Sequence, residues 1–269
     1  MKILTCLTIT IALTAPLQAQ TTAPTPNVLQ TQVQQELNEA AQAYRRGNFA
    51  EAQAHSERAL LLDPENKTAP MYLARTIHAQ YKPGDFTPEN VAKAEEAIFA
   101  YKRTLERSPG DDEAYKAVAY LYDAIKEEEL LREWLLQRAG NGSLPNDKRA
   151  EAFVVLASKD WDCSFKITEL PTTKVTTVRG NKVFVSYQMP KERVEFERAN
   201  ECANRGLEMA NIAITLMPED ESAWSYKTNL LLELAKLAEM EGEVHQQREL
   251  RRQYEEALRE TTKLSKRSR

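Results

Sequence analysis

The sequence predicts an all-α protein: a stacked, superhelical array of about five helix pairs, with a small β-hairpin set into the fourth pair. Three observations carry that expectation. Only 8 of the 269 residues are glycine, too few for a barrel, a sandwich or a phosphate-cradling fold, all of which use glycine for tight turns and close backbone approach. Charge is plentiful and balanced, 36 Lys+Arg against 40 Asp+Glu, while aromatic residues make up 7%; that composition suits amphipathic helices with solvated outer faces. Small residues, aromatic residues and prolines also recur at a regular spacing through residues 30–260. The formal net charge of −4 lacks the basic stripe that nucleic acid requires, so no nucleic-acid partner is expected.

Residues 1–19 read as an export signal. Lys2 precedes an apolar run from Ile3 to Leu17, and Leu17-Gln18-Ala19 ends it with a small residue. The run is too short for a membrane span, and no other stretch approaches that length, so no transmembrane segment is expected in the mature chain. Cys6 would leave with the signal. Residues 20–29 are polar and proline-containing and read as a disordered spacer. At the other end, residues 261–269 read as a basic, flexible tail.

The first helix pair lies within residues 36–64, where Ala40, Gly47, Ala52, Ala59 and Pro64 follow one another at telling intervals. The alanines allow two helices to cross closely, Gly47 can take the left-handed conformation that ends the first helix, and Pro64 stops the second. This set of positions resembles the tetratricopeptide repeat, a 34-residue helix-turn-helix unit. The register continues with Ala74 and Ala97 as crossing residues and Pro109 as terminator; an insertion of about eleven residues near 82–88 lengthens the loop between them. A third pair spans 112–139, with Lys126 where a turn glycine is expected. The fourth is split between 148–164 and 191–217, the second part carrying Gly206, Ala210 and Ala213 before Pro218. Between them, residues 172–189 contain two β-branched runs around Gly180-Asn181, a turn dipeptide suited to a two-residue hairpin. The fifth pair, 221–240 and 243–261, turns at Gly242 and reads as a terminal cap.

The resemblance, which is to exported bacterial tetratricopeptide-repeat proteins, implies a concave face that binds a protein or peptide. Carried over residue by residue, that face takes Leu37, Tyr44 and Arg45, then Met71, Arg75 and His78, then Lys116, Tyr120 and Asp123, and finally Val154, Ser158, Trp161 and Asp162. Aromatic residues and arginine in one groove suit peptide recognition; packing between helices is the competing role for each tyrosine. The same register sets Cys163 at the end of one helix and Cys202 early on its partner, so in an oxidising compartment the two read as a disulfide, against two buried thiols as the alternative.

Catalytic, cofactor and metal residues are expected to be absent. The sequence has no phosphate-loop glycine pattern, no His-Glu-x-x-His and no Gly-x-Ser-x-Gly. His245, flanked by Glu241 and Glu249, offers too few donors for a closed metal site and reads as a solvated face. The expected function is a non-catalytic binding scaffold of the cell envelope, periplasmic or secreted. The alternatives are a subunit that assembles through its terminal helix pairs and an enzyme with a site near the hairpin.

Overall fold

A computed structural model describes residues 26–267 of the chain; the signal reading of residues 1–19 lies outside them. Among the described residues there are ten helices and one two-stranded sheet. The helices are α1 (Pro26–Arg45), α2 (Phe49–Leu62), α3 (Ala69–His78), α4 (Pro88–Arg107), α5 (Asp112–Ala124), α6 (Glu128–Gly140), α7 (Asn146–Thr168), α8 (Arg193–Leu216), α9 (Glu221–Glu241) and α10 (Val244–Arg267). Strands β1 (Lys174–Arg179) and β2 (Lys182–Tyr187) lie between α7 and α8. The result is an all-α array of tetratricopeptide-type helix pairs with a small hairpin in the fourth. The chain forms two compact units that meet between Tyr115 and Lys116, inside α5.

Two boundaries differ from expectation. Helix α1 begins at Pro26, inside the stretch read as spacer, because proline at a helix start leaves no backbone donor to satisfy. Helix α10 runs on to Arg267, so most of the stretch read as a tail is helical; Leu264 is buried there and holds the last turns down.

In the first unit, Ala40, Ala52, Ala59, Ala74 and Ala97 are fully buried. Each is a small residue enclosed between packed helices, where a larger side chain is expected to push them apart. Val33, Leu37, Ala59 and Ala69 form one core cluster, with Leu60, Leu62 and Tyr72 against it. The Asn90 side chain ties together the long loop before α4. Asn90 accepts from the Lys82 N–H at 2.9 Å and donates to the carbonyls of Lys82 at 2.9 Å and Asp85 at 2.6 Å.

The helix junctions follow two recurrent devices. Within a pair, the first helix closes by a six-residue backbone hydrogen bond: the Asn48 N–H donates to the Ala43 carbonyl, that of Glu127 to Tyr122, and that of Glu243 to Ala238. The residue before each donor is left-handed, with φ of 77° at Gly47, 66° at Lys126 and 76° at Gly242. Lys126 therefore adopts the glycine conformation despite its side chain. Between pairs, each terminating proline is followed two residues later by a capping side chain. After Pro64, Asn66 accepts from the Ala69 N–H at 2.9 Å; after Pro109, Asp111 accepts from Ala114 at 2.9 Å; after Pro218, Asp220 accepts from Ala223 at 3.0 Å. The stop signal and the start signal thus lie within three residues of each other, each cap contributing about 1 kcal/mol.

In the second unit, α7 and α8 run antiparallel: Asp160 faces Arg205 while Cys163 faces Cys202. Gly206 of α8 is packed tightly against both α7 and α9. A Cβ built there would lie 2.8 Å from Leu230 Cδ2 and 2.9 Å from Asp160 Cβ. Phe196, Ala199, Ala203, Leu234 and Leu237 form the core beside it. The hairpin pairs antiparallel from Lys174↔Tyr187 to Arg179↔Lys182, with Gly180 at φ 64° in the turn.

Two substitutions test this packing. Lys126→Gly should raise the unfolding free energy by about 1 kcal/mol, since a non-glycine residue in the left-handed region is strained by about that much. Gly206→Ala should lower it by about 1–3 kcal/mol through overpacking. Urea denaturation of both variants beside the parent checks the two signs at once.

Candidate functional site

The residues carried over to the binding face divide into three groups once placed. Leu37 and Met71 are buried and belong to the core, not to a groove. In the first unit Tyr44 and Arg45 are exposed, and the Tyr44 ring packs 5.3 Å from that of Phe49. Arg75 makes a bidentate pair with Glu113, which holds the guanidinium above its ordinary range and the carboxyl below its own. His78 is half-buried, with Nδ1 3.2 Å from the Tyr101 hydroxyl and its ring edge-on to that tyrosine. Burial pulls the His78 pKa down and pushes that of Tyr101 up. Tyrosine, histidine and a fixed arginine–glutamate pair thus come from the first helices α1, α3 and α5, with Tyr101 added from α4.

The second unit repeats the arrangement with different residues. Tyr120 is exposed. Lys116 pairs with Glu151 at 2.7 Å and Asp123 with Lys159 at 2.6 Å, two bridges between the facing sides of α5 and α7. Trp161 packs 4.9 Å from the Phe165 ring and 6.2 Å from the Tyr226 ring. Asp162 pairs with Lys166 one turn on, and the Ser158 hydroxyl donates to the Val155 carbonyl at 2.8 Å. Ser158 is thereby engaged within its own helix. Arg75, Asp123 and Asp162 likewise already have partners of opposite charge, so any ligand they orient must compete with a surface ion pair worth at most about 1 kcal/mol.

The second unit also holds two polar assemblies that periodicity did not reveal. Asp160, 2% exposed, accepts from Arg132 at 3.1 Å and from Arg205 at 2.6 Å and 3.0 Å, joining α6, α7 and α8. Beside it Cys163 and Cys202 are disulfide-bonded, as the export reading expected. The second assembly sits under the hairpin. Lys236, buried on α9, donates to Glu233 at 2.7 Å and Glu169 at 2.8 Å, and lies 5.1 Å above the Tyr187 ring. Glu233 also accepts from the Thr168 hydroxyl, and Glu169 from Lys174 of β1. Burial alone would pull the Lys236 ammonium down, but its two glutamates outweigh that and hold it above its ordinary value. Burial likewise works against the charge on Glu169, while Lys174 and Lys236 outweigh it and keep the carboxyl below 4.5.

Two clusters have metal-ligand chemistry in part. Glu36, Glu39 and His55 place donor atoms within 4.8 Å of one another between α1 and α2. His55 Nδ1 lies 2.7 Å from Glu36 and 3.2 Å from Glu39, but Arg58 stands 2.6 Å from the same nitrogen and 3.0 Å from Glu36. The guanidinium supplies the positive charge that an ion would bring. Around His245, Glu241 pairs with Arg193 at 3.1 Å and Glu249 with Arg252 at 2.6 Å, which fits the solvated-face reading. No helix among the described residues is long and apolar enough to cross a membrane.

No family model matches the chain, and no curated protein matches it. Among solved structures, it is similar to MamA from residue 41 onward of Desulfovibrio magneticus, at 11% identity and a TM-score of 0.45, covering 87% of this chain and 96% of that one. A tetratricopeptide repeat protein from Parabacteroides merdae matches at 15% identity and a TM-score of 0.37, over 87% and 90%. The pilF protein of Pseudomonas aeruginosa matches at 14% and 0.35, over 84% and 90%. The tetratricopeptide character of the fold stands on this chain's own register of buried alanines, left-handed turns and capped prolines.

Two measurements address the buried assemblies. Replacing Cys163 and Cys202 together by serine should lower the unfolding free energy by about 4 kcal/mol at most, the loop-closure value for a ring of about 40 residues; reducing agent should shift the parent's thermal midpoint in the same direction. The depressed Glu169 pKa contributes stability that is complete above the ordinary carboxylate value and is lost as pH falls through the lower folded-state value. Glu169→Gln should therefore flatten the acid limb of the stability–pH curve below about pH 4.5, read by thermal melts across that range.

Proposed function

We propose that this chain is a non-catalytic protein-binding scaffold of the cell envelope that holds a peptide segment against the inner faces of its first helices. The observation that carries the reading is the exposure of Tyr44, at 40%, the one aromatic residue of α1, and of Tyr120, at 48%, on α5, where Tyr115 and Tyr122 are buried. An exposed tyrosine presents a large rigid surface with a hydrogen-bonding tip, the side chain most often found to anchor protein interfaces. Arg75 and Glu113 in the first unit, and Lys116, Asp123 and their partners in the second, supply charges of both signs for orienting a ligand. The disulfide supports export, because such bonds persist in oxidising compartments.

Photocrosslinking tests the reading. A photoreactive residue placed at Tyr44 or Trp161 in the exported chain should yield a discrete adduct with a partner protein. The same residue at Leu61 or Phe99, exposed on second helices, should yield none. Tyr44→Ala and Tyr120→Ala should each weaken capture of that partner by about tenfold, a loss of 1–2 kcal/mol. Equal adducts at all four positions, or none at any, would overturn the reading.

A further inference from the structure

The hairpin is the one described sheet, and no third described strand pairs with either of its edges. Its base is anchored by polar bonds. Lys174 binds Glu169, the Tyr187 ring faces Lys236, and the Tyr187 N–H donates to Glu239 at 3.0 Å. The outer half packs on itself, with the Arg179 guanidinium 6.0 Å over the Phe184 ring. Val178, Val183, Phe184 and Val185 are 66, 64, 51 and 47% exposed.

The pairing register sorts these residues onto two faces. Thr176 and Val178 of β1 lie directly opposite Val185 and Val183 of β2, making a β-branched patch on the side that carries Lys174 and Tyr187 at the base. On the other face Thr177 lies opposite Phe184 and Arg179 opposite Lys182. Arg179 and Lys182 are like charges in directly opposed positions, an arrangement that disfavours the hairpin unless an anion intervenes. From Pro171 to Lys191 the sequence contains no acidic residue at all. A two-residue turn makes Arg179 and Lys182 a hydrogen-bonded pair, so along β2 it is Val183, Val185 and Tyr187 whose backbone N–H and C=O point outward. The Tyr187 N–H already bonds outward in this way, to the Glu239 carboxylate.

We propose that the outer edge of β2 is a strand-addition site for an extended segment of a partner protein in which apolar and acidic residues alternate. Paired on that edge, every second side chain of the segment extends the valine patch, while those between lie on the face of Lys182, Phe184 and Ser186, where a carboxylate next to Lys182 offsets its charge and that of Arg179 across β2. A second copy of the chain fits less well, since it brings the same cations to the same edge. An anionic bilayer matches the charge, but it offers no donors and acceptors to the open edge, whose burial in hydrocarbon would cost several kcal/mol per backbone group. The site is separate from the first-helix face, so Tyr44→Ala leaves it intact and the two readings fail independently.

The test uses the exported chain and a labelled eight-residue peptide of alternating valine and glutamate, with a valine–lysine peptide and phosphatidylglycerol vesicles as comparison arms. The glutamate peptide should bind about tenfold more tightly than the lysine peptide and shift the backbone amide resonances of residues 182–187. R179E combined with K182E, at exposed tip positions, should reverse the preference. Val185→Pro, which removes an outward N–H from an edge strand where proline is tolerated, should abolish binding by either peptide. Equal affinity for the two peptides, resonance shifts confined to the helices, or vesicle binding without peptide binding would each overturn the proposal.

Discussion

Close helix crossing at small residues is the constraint on which the rest of the structure depends. Ala40, Ala52, Ala59, Ala74 and Ala97 in one unit, and Gly206, Ala210 and Ala213 in the other, let backbones approach until larger side chains on either side interlock. Because each helix is too short to bury an apolar face alone, this approach decides whether the pairs stack at all. The inner faces, the ion pairs between successive first helices and the placement of the hairpin all follow from it.

The buried polar groups sit where that constraint leaves charge no exit. Asp160 is enclosed beside Gly206, and its two arginines come from the helices on either side. Such a group adds little net stability over a hydrophobic substitute of the same volume, yet removing an arginine is costly because the Asp160 carboxylate stays buried. It therefore acts mainly on register: α6, α7 and α8 can slide only by breaking it. The adjacent disulfide restrains the same pair of helices covalently, so the antiparallel register of α7 and α8 is held by chemistry of two kinds.

Much of this was legible in the residues, and what was not has a physical reason. Alanine spacing, terminating prolines and the Gly180-Asn181 turn located the helix pairs and the hairpin because they act locally, through backbone conformation. Lys126 shows how tertiary context overrides such rules: the turn it occupies is the same as at Gly47 and Gly242, and the surrounding helices impose it. Repeat position alone puts Leu37 and Met71 on the groove, whereas the approach of neighbouring helices turns them into core. Glu233 and Lys236, three residues apart, resemble a solvated helical pair in sequence; only the covering of that face of α9 by α7 and the hairpin makes them buried. Glu36, Glu39 and His55 come together for a similar reason, across two helices whose facing sides no single-helix pattern specifies.

The unequal support of the hairpin has a mechanical meaning. Its base is clamped through Lys174 and Tyr187 to Glu169, just past the end of α7, and to Lys236 and Glu239 on α9, while its outer residues are exposed. It is a cantilever. A load applied near Gly180 produces its greatest bending moment at the Glu169–Lys174–Lys236 triad, so tension at the tip is delivered first to α9 and to the cluster of Phe196, Leu234 and Leu237 behind it.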